Sequence, residues 1–355
     1  MKKYDAIIIG AGHNGLTNAA YLARAGLDTL VLEKNDYIGG AAVTREMHDG
    51  WFYSSCSYVC SMMRQAIHRD LDLSSHGLLL VPYLGTVNFG DQGQRLIDYR
   101  DEGAAYNELR RHSPHDADAM FRFQADLGRY AQLIRKTLLR TPPDPTSFKP
   151  RDIKELLFLA KEFWSLGEKE LYEYVRFFTM SAAEFLEDYF ENDLIKAAMA
   201  SPGIIGTALG VYSPGSAYIL LHHVMGDVDG SVGAWGLARG GMGAISNALC
   251  SAMQAAGGEV RTGAGVEQII VKDGKACGVA LESGEELYAG IIVSNLDAKR
   301  TFTKDIQKFH CRETKKGFFR WDHYRFPREI TDYLWFFQFW IFKNTDLNME
   351  NDVII

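Results

Sequence analysis

The chain has 355 residues, of which 47% are apolar and 23% are charged, the composition of an ordinary globular protein. Its 45 acidic residues outnumber 38 basic ones, and the net charge of −7 argues against nucleic acid as a main partner. Five scattered cysteines are too few for a secreted disulfide framework, which favours a cytoplasmic protein. No apolar run approaches the roughly 18 residues of a transmembrane helix, so we expect no transmembrane segment. Regular structure is expected to start by Tyr4, which leaves no room for a targeting peptide.

The first 33 residues contain the most informative motif. An apolar run, Asp5-Ala-Ile-Ile-Ile9, predicts a strand buried on both faces, and Gly10-Ala-Gly-His-Asn-Gly15 follows it directly. Apolar residues then recur at helical spacing from Leu16. A second buried strand, Thr29-Leu-Val-Leu32, ends at the acidic residue Glu33. This order of strand, glycine turn, helix, strand and acid predicts a dinucleotide-binding βαβ unit.

Each part of this motif has a physical role. Gly10 would make the tight turn, Gly12 would leave room for a pyrophosphate, and Gly15 would let the helix pack closely on the strand. The phosphates would lie at the positive end of the helix. Glu33 would accept hydrogen bonds from the adenosine ribose, and its charge disfavours NADP. The candidate cofactor-binding residues here are Gly10, Ala11, Gly12, Asn14, Gly15 and Glu33. The alternative is a glycine turn inside an unrelated α/β core.

A glycine pair decides which dinucleotide we expect. Gly39-Gly40 lies six residues after Glu33, where a plain nicotinamide dehydrogenase usually continues into its next helix. An acid, a short loop and a Gly-Gly pair resemble the FAD-binding flavoprotein family of amine oxidases and phytoene desaturases. In amine oxidases Arg usually follows the pair, whereas this chain has Ala41, which favours the desaturase branch. The resemblance implies FAD as cofactor and adds Gly39 and Gly40 to the site, although an ordinary turn is the alternative for this pair.

The middle of the chain is helical and apolar. Residues at helical spacing predict three core-facing helices over 116–139, 153–164 and 171–189, with a proline-rich loop over 141–150. The same apolar stripes would also suit contact with an apolar substrate or a peripheral contact with a membrane surface. Core packing is the more common explanation of such stripes.

Several short motifs between residues 213 and 243 agree with one another. They are Pro214-Gly-Ser-Ala-Tyr218, His222-His223, Gly233-Ala-Trp-Gly236 and Gly240-Gly-Met-Gly243. Together they resemble the pyridine nucleotide-disulphide oxidoreductase domain-containing protein 2 group, which is related to phytoene desaturases. By that resemblance the last motif opens a helix, over 244–256, that returns the chain to the FAD domain. The two histidines have no third ligand at a usual zinc spacing, so no metal site is predicted.

A run of short strands is predicted over residues 259–293. In the flavoprotein relatives this block covers the adenine, and the residue matching Val266 contacts it through its backbone. The predicted fold class is therefore α/β, a discontinuous Rossmann-like FAD/NAD(P)-binding domain with an inserted, mainly helical substrate domain. The expected boundaries are 1–90 and 236–306 for the FAD-binding domain, 91–235 for the substrate domain and 307–355 for an atypical tail.

The tail differs in composition from the rest of the chain. Its 49 residues hold 13 aromatics and one glycine, whereas the preceding 306 residues hold 30 aromatics and 33 glycines. Family similarity is expected to stop near Lys304, and relatives end in a glycine-rich segment near the flavin that this tail does not resemble. We expect a premature or frame-shifted end, and hence poor FAD binding and little turnover. A divergent tail that binds a membrane or a partner is the alternative.

The predicted function is that of an FAD-dependent oxidoreductase that transfers hydride from an apolar substrate to flavin. An unidentified acceptor would reoxidise the flavin, and the sequence nominates no catalytic acid or base. Cys56 and Cys60 lack the spacing of familiar dithiol pairs, so no redox disulfide is expected. Two alternatives remain: an NAD-binding dehydrogenase, and an incomplete protein that binds a nucleotide or a partner without catalysis.

Overall fold

A computed structural model describes residues 3–83, 85–138, 140–228, 231–272, 275–301 and 340–343 of the chain. The described residues form two compact units. Unit 1 is discontinuous and takes its residues from within 1–60, 65–81 and 237–355, and unit 2 from within 61–64 and 82–236.

The strands and helices are as follows, in chain order. The strands are β1 (Lys3–Ile9), β2 (Thr29–Leu32), β3 (Thr44–His48), β4 (Trp51–Ser54), β5 (Leu80–Pro82), β6 (Val87–Phe89), β7 (Arg95–Ile97), β8 (Asp227–Val228), β9 (Ser231–Val232), β10 (Gly236–Ala238), β11 (Glu259–Arg261), β12 (Val266–Lys272), β13 (Lys275–Leu281), β14 (Glu286–Ser294) and β15 (Trp340–Lys343). The α-helices are α1 (His13–Arg24), α2 (Gln65–Asp70), α3 (Glu102–His112), α4 (Pro114–Arg135), α5 (Pro150–Trp164), α6 (Gly167–Thr179), α7 (Ala182–Glu187), α8 (Asp193–Ala200), α9 (Ala217–Val224), α10 (Gly243–Ala255) and α11 (Ala298–Arg300).

The main sheet of unit 1 has the strand order β11-β2-β1-β14-β13-β12, and β15 also pairs with β14. Strand β1 lies between β2 and β14 and is parallel to both, and β11 is parallel to β2. Ile9 is in register with Leu32 on one side and with Ser294 on the other, so three parallel strands end at one edge. The prediction of a Rossmann-like α/β fold is confirmed.

Helix α1 follows β1 directly and packs against α10. Its buried face consists of small and aliphatic residues, Gly15, Leu16, Ala19, Ala20 and Ala23. Small side chains let a helix approach a neighbouring element closely. The β1–α1–β2 segment therefore has the shape that the apolar periodicity of the sequence predicts, and β2 occupies the predicted residues.

Unit 2 has a core of its own, which is rich in aromatic residues from α4, α6, α7 and the segment directly after α7. Phe123 packs edge to face on Phe190, and Phe177 packs on Phe185 at a centroid distance of 4.8 Å. Such pairs add about 0.5–1.5 kcal/mol beyond the area they bury. The predicted helix over 116–139 is observed as α4 and contributes Phe123 to this core.

The predicted single helix over 171–189 is wrong, because the chain forms α6 and α7 there. Ser181 is the N-cap of α7, and its hydroxyl accepts the N–H of Glu184. The Glu184 carboxylate in turn accepts the N–H of Ser181 at 2.8 Å. This reciprocal pair is a capping box, which starts a new helix although the apolar periodicity continues across the break.

The prediction that α5 faces a core is confirmed only in part, because Phe163 packs against the core of unit 2 whereas other residues of the predicted face are exposed. Trp164 is 89% exposed and Leu157 is 65% exposed, whereas the one residue of α5 classed as buried is Asp152. On the neighbouring helix α6, Tyr172 and Val175 are exposed as well. Apolar residues at helical spacing define one face of a helix but not what covers that face.

Membrane-spanning segments were expected to be absent from the sequence. Within the part of the chain that the structure describes, no helix combines the length and the apolar character needed to cross a bilayer.

Candidate dinucleotide-binding site

The glycine turn lies at the carboxyl end of β1. Gly10 has a φ of 95° and donates its N–H to the Leu32 carbonyl oxygen at 2.7 Å. A Cβ at Gly15 would lie only 2.2 Å from the Gly10 carbonyl oxygen. Positive φ at the first position and this close approach at the last both require glycine. The structure thus explains two glycines of the motif from contacts within the protein.

The carboxylate of Glu33 holds the glycine turn to the end of β2. The residue is 8% exposed, and its Oε2 accepts the Ala11 N–H at 2.8 Å. Its Oε1 accepts the backbone N–H of Asn35 at 3.0 Å and the Asn35 side-chain N–H at 2.9 Å. An ionised carboxylate has about four lone-pair sites, so one further hydrogen bond to a ribose hydroxyl is compatible with these contacts.

The glycine pair folds back onto the same turn. Gly39 donates its N–H to the Ala11 carbonyl oxygen at 2.8 Å, and Gly12 and Gly39 form a parallel bridge. The φ values of Gly39 and Gly40 are 116° and 57°. A Cβ at Gly40 would lie 3.3 Å from the Gly12 Cα. Two motifs that are separated by more than twenty residues in the sequence therefore make one surface.

The amino-terminal end of α1 has the character of an anion site. Its N-cap is Gly12, which has no side chain to cap the helix, and its second residue is the half-buried Asn14. The first turn, His13-Asn-Gly-Leu16, contains no carboxylate. Helix amino termini carry partial positive charge and outward N–H groups, so the end of α1 suits a phosphate.

Val266 is the first residue of β12, and the segment directly before it is hydrogen-bonded to the backbone of Glu33. Ala264 donates its N–H to the Glu33 carbonyl oxygen at 2.8 Å. The Val266 side chain is 7% exposed and belongs to the core of unit 1. A ligand at this place could therefore use the backbone of Val266 rather than its side chain, as the flavoprotein resemblance implies.

Sequence reasoning did not identify two asparagines at this site. Asn35 binds Glu33, as described above, and Asn295 follows β14 directly. Asn295 donates its N–H to the Ile9 carbonyl oxygen at 2.9 Å. Both residues come just after a strand of the parallel sheet, and ligands of such sheets bind beyond the carboxyl ends of the strands. Applying that rule to the end of every predicted strand could have identified both asparagines from the sequence.

The Gly240–Gly243 motif serves packing at the start of α10. Gly243 donates its N–H to Thr44 Oγ1 at 2.9 Å, and a Cβ at Gly241 would lie 2.3 Å from the same oxygen. The helix start is thereby held against the β3–β4 hairpin. Beside it, a cavity of about 320 Å³ is bordered by the loop between Glu33 and Gly39, by Thr44 and by Thr262.

The histidine pair makes ordinary core contacts in unit 2. His223 Nδ1 lies 2.9 Å from the Ile219 carbonyl oxygen, and Trp235 donates its indole N–H to the His223 carbonyl oxygen. Burial lowers the pKa of His222 to about 4, with a smaller contribution from the neighbouring His223. Both imidazoles are therefore neutral at pH 7.

Among the described residues, one group resembles a metal site in composition: His115, Asp116 and Glu191. The Asp116 carboxylate already accepts the backbone N–H groups of Glu191 and Asn192, each at 2.9 Å. His115 Nδ1 lies 2.9 Å from the same carboxylate. These contacts supply the buried Asp116 carboxylate with hydrogen-bond donors from within the protein. Cys56 and Cys60 are free thiols in the structure, the first exposed and the second buried.

The fold is of the Rossmann type, and the glycine turn, Glu33 and Gly39-Gly40 form a surface of the kind that suits a dinucleotide. Comparison with family models is more specific, because residues 15–322 match the model described as flavin-containing amine oxidoreductase. The chain belongs to that family. The resemblance stated from the sequence is confirmed, and so is FAD as the cofactor. The match ends within the atypical tail, residues 307–355.

Three curated relatives illustrate the similarity. Pyridine nucleotide-disulfide oxidoreductase domain-containing protein 2 of Mus musculus is 36% identical over 84% of this chain and 54% of its own length. Prolycopene isomerase of Daucus carota is 25% identical over 89% of this chain and 50% of its own. A limonene dehydrogenase polypeptide of Castellaniella defragrans is 26% identical over 89% and 56%. The chain thus spans about half the length of these relatives.

Solved structures support the fold. An oxidoreductase from Methanosarcina mazei superposes with a TM-score of 0.53 at 17% identity, over 86% of this chain and 61% of the other. A putrescine oxidase triple mutant superposes with a TM-score of 0.51 at 18% identity, over 82% and 57%. At such identities the likeness establishes the shared fold alone.

Proposed function

We propose that the chain is part of an FAD-dependent oxidoreductase of the dehydrogenase or desaturase type. The observation that carries the proposal is the joined surface of the glycine turn, Glu33 and Gly39-Gly40. Its backbone and glycines leave room for a pyrophosphate, and its buried carboxylate suits a ribose. The amino-terminal end of α1 suits the phosphates. These residues fit the adenosine and pyrophosphate portions of FAD.

The proposed reaction is hydride transfer. When bound, FAD would supply the redox chemistry by accepting a hydride, two electrons with one proton, from a C–H bond of the substrate. The substrate would lose a second hydrogen as a proton to solvent, and the two electrons would pass by way of FAD to an unidentified electron acceptor. The residues of this chain would bind the cofactor and orient it.

An apolar substrate is the finer part of the proposal. Two relatives are named for prolycopene and limonene, and these names favour a substrate of low polarity. Unit 2, which we propose contributes to substrate binding, has an aromatic core and several exposed apolar side chains. When an apolar molecule binds to aromatic and aliphatic side chains, both surfaces lose contact with water, which lowers the free energy.

The test is purification of the chain followed by measurement of visible flavin absorbance and of FAD stoichiometry. A yellow protein whose flavin is bleached under anaerobic conditions by hydrophobic compounds would support the full proposal. Bleaching by NADH alone, or by a small polar amine alone, would contradict the apolar substrate. A protein that takes up NAD but no FAD would contradict the flavin reaction.

The exposed face of α5 supports a second proposal, a peripheral contact with a membrane surface. Phe148 is 92% exposed, and Trp164 and Leu157 lie on the exposed part of the helix. Exposed aromatic and aliphatic side chains on one helix are typical of interfacial binding. Sedimentation with lipid vesicles should be reduced by Trp164→Ser with Leu157→Ser, and not by Tyr212→Ser, an exposed residue elsewhere in unit 2. Equal sedimentation of all variants would contradict this contact.

A cytoplasmic location stays a prediction.

A further inference from the structure

Asn295 borders the missing side-chain position of all three glycines of the turn. A Cβ at Gly12 would lie 3.1 Å from Asn295 Nδ2, and a Cβ at Gly15 would lie 3.2 Å from the same atom. At Gly10, the nearest atoms to such a Cβ include the Asn295 Cβ at 3.7 Å. All three glycines of the motif therefore face one carboxamide.

The position of this carboxamide is fixed by the sheet. Asn295 follows β14 directly. Residues Tyr288 to Ser294 of β14 pair in parallel with β1, and the backbone N–H of Asn295 extends this pairing by donating to the Ile9 carbonyl oxygen. Asn295 is half-buried, and its side chain lies beside Gly10, at the end of β1. Rigid strands position polar side chains more accurately than free loops do.

This arrangement gives a second reason why position 12 requires glycine. The sequence motif suggests that Gly12 lacks a side chain so that a pyrophosphate can approach. In the structure, the direction of the missing side chain leads to the amide group of Asn295. A carboxamide N–H is a hydrogen-bond donor, and phosphate oxygens accept such donors strongly.

We propose that Asn295 is a further cofactor-binding residue, whose carboxamide N–H₂ donates to the pyrophosphate of the dinucleotide. The proposal rests on the proposed function, because it needs a dinucleotide at this turn. It adds a contact from the last parallel strand, β14, to those from β1 and β2. Neither the glycine motif nor the Gly-Gly pair contains this residue.

The decisive variant is Asn295→Asp, which keeps the size of the side chain and replaces a donor by a negative charge. We expect a roughly ten- to hundredfold loss of affinity for FAD and for ADP in calorimetric titrations, since hydrogen bonds to charged groups have this weight. Affinity for adenosine, which has no phosphate, should change less than threefold. A purely structural role would lower all three affinities together.

The matched control is Gln254→Glu, the same amide-to-carboxylate change on an exposed residue of α10 in unit 1. It should leave the affinities for FAD, ADP and adenosine within about twofold of the unsubstituted chain. Circular dichroism checks that each variant is folded. If Asn295→Asp does not fold, Asn295→Ser, which withdraws the amide without adding charge, replaces it with the same expected order of losses.

The outcomes separate the two proposals. If the unsubstituted chain binds neither FAD nor ADP, the proposed function fails, and the role of Asn295 fails with it. If the unsubstituted chain binds both and a folded Asn295 variant binds them equally well, only the role of Asn295 is overturned. An equal loss for adenosine and ADP would also overturn it.

Discussion

At the scale of single residues, the site combines features that the sequence reveals with one that it hides. Gly10, Gly15 and Glu33 could be predicted because their chemistry depends on neighbours along the chain. Asn295 follows a predicted strand, so the strand-end rule could nominate it, but only the pairing of β14 with β1 shows that it meets the glycine turn. One sequence shows where a strand ends, but not which strand becomes its neighbour.

Glu33→Gln should weaken FAD retention. The residue accepts hydrogen bonds from Ala11 and from Asn35, so a side-chain amide would place its N–H₂ group against one of these donors. The loss of a charged acceptor is worth about 1.5–3 kcal/mol, or roughly ten- to hundredfold in affinity. Equilibrium dialysis with FAD measures it. The control is Glu267→Gln, on an exposed residue of β12; an unchanged affinity in Glu33→Gln would remove Glu33 from the site.

Two glycine-to-alanine substitutions should have opposite effects. At Gly15, the new Cβ would meet the Gly10 carbonyl oxygen at 2.2 Å, so the backbone must shift, at a cost of about 1–3 kcal/mol or more. At Gly128, inside α4, no atom lies within 4 Å of such a Cβ, and the better helix former should stabilise by about 0.5–1 kcal/mol. Urea unfolding of both variants provides the comparison. Stabilisation by Gly15→Ala would contradict the observed packing.

At the scale of elements, short strands were predicted more successfully than the faces of helices. Strands β1 and β2 are apolar and largely buried runs that end at Gly10 and Glu33, which is typical of a buried parallel sheet. Helix α5 has equally clear periodicity, yet part of its apolar face, including Leu157 and Trp164, is exposed. The boundary between α6 and α7 was missed because a capping box, rather than a change in hydrophobicity, creates it.

Ser181→Ala should destabilise unit 2 by about 1 kcal/mol, because it removes the N-cap hydroxyl from the first turn of α7. Ser181 is 2% exposed, so water cannot replace the hydroxyl freely. The matched control is Ser165→Ala, since the hydroxyl of that exposed serine binds a carbonyl at the end of α5. Denaturant unfolding should place the control within about 0.5 kcal/mol of the unsubstituted chain. Equal losses in both variants would contradict the capping role.

At the scale of the whole molecule, the two units have separate cores. The core of unit 1 is built on the sheet, from residues such as Ile7, Leu30 and Ile292. The core of unit 2 is built on helices, from residues such as Phe177 and Leu221. Separate cores commonly unfold in separate transitions. We therefore expect two calorimetric transitions. FAD at a hundredfold excess over its Kd should raise the free energy of unfolding of unit 1 by about 2.7 kcal/mol and leave the transition of unit 2 unchanged. A single transition that FAD shifts as a whole would contradict this independence.

Acid should act on the other transition, that of unit 2. Burial lowers the pKa of His222 to about 4 and also lowers that of His223, whereas an unfolded histidine titrates near 6.5. Between these values the unfolded chain binds more protons than the folded one, so stability is present above about pH 6.5 and is lost as the pH falls toward 4. For His222 this loss amounts to roughly 3 kcal/mol at most. His222→Gln, which does not titrate, should flatten the pH dependence of the unit 2 transition over that range and leave the response of unit 1 to FAD unchanged. An identical pH slope in the variant would show that His222 is charged or solvated in the folded protein.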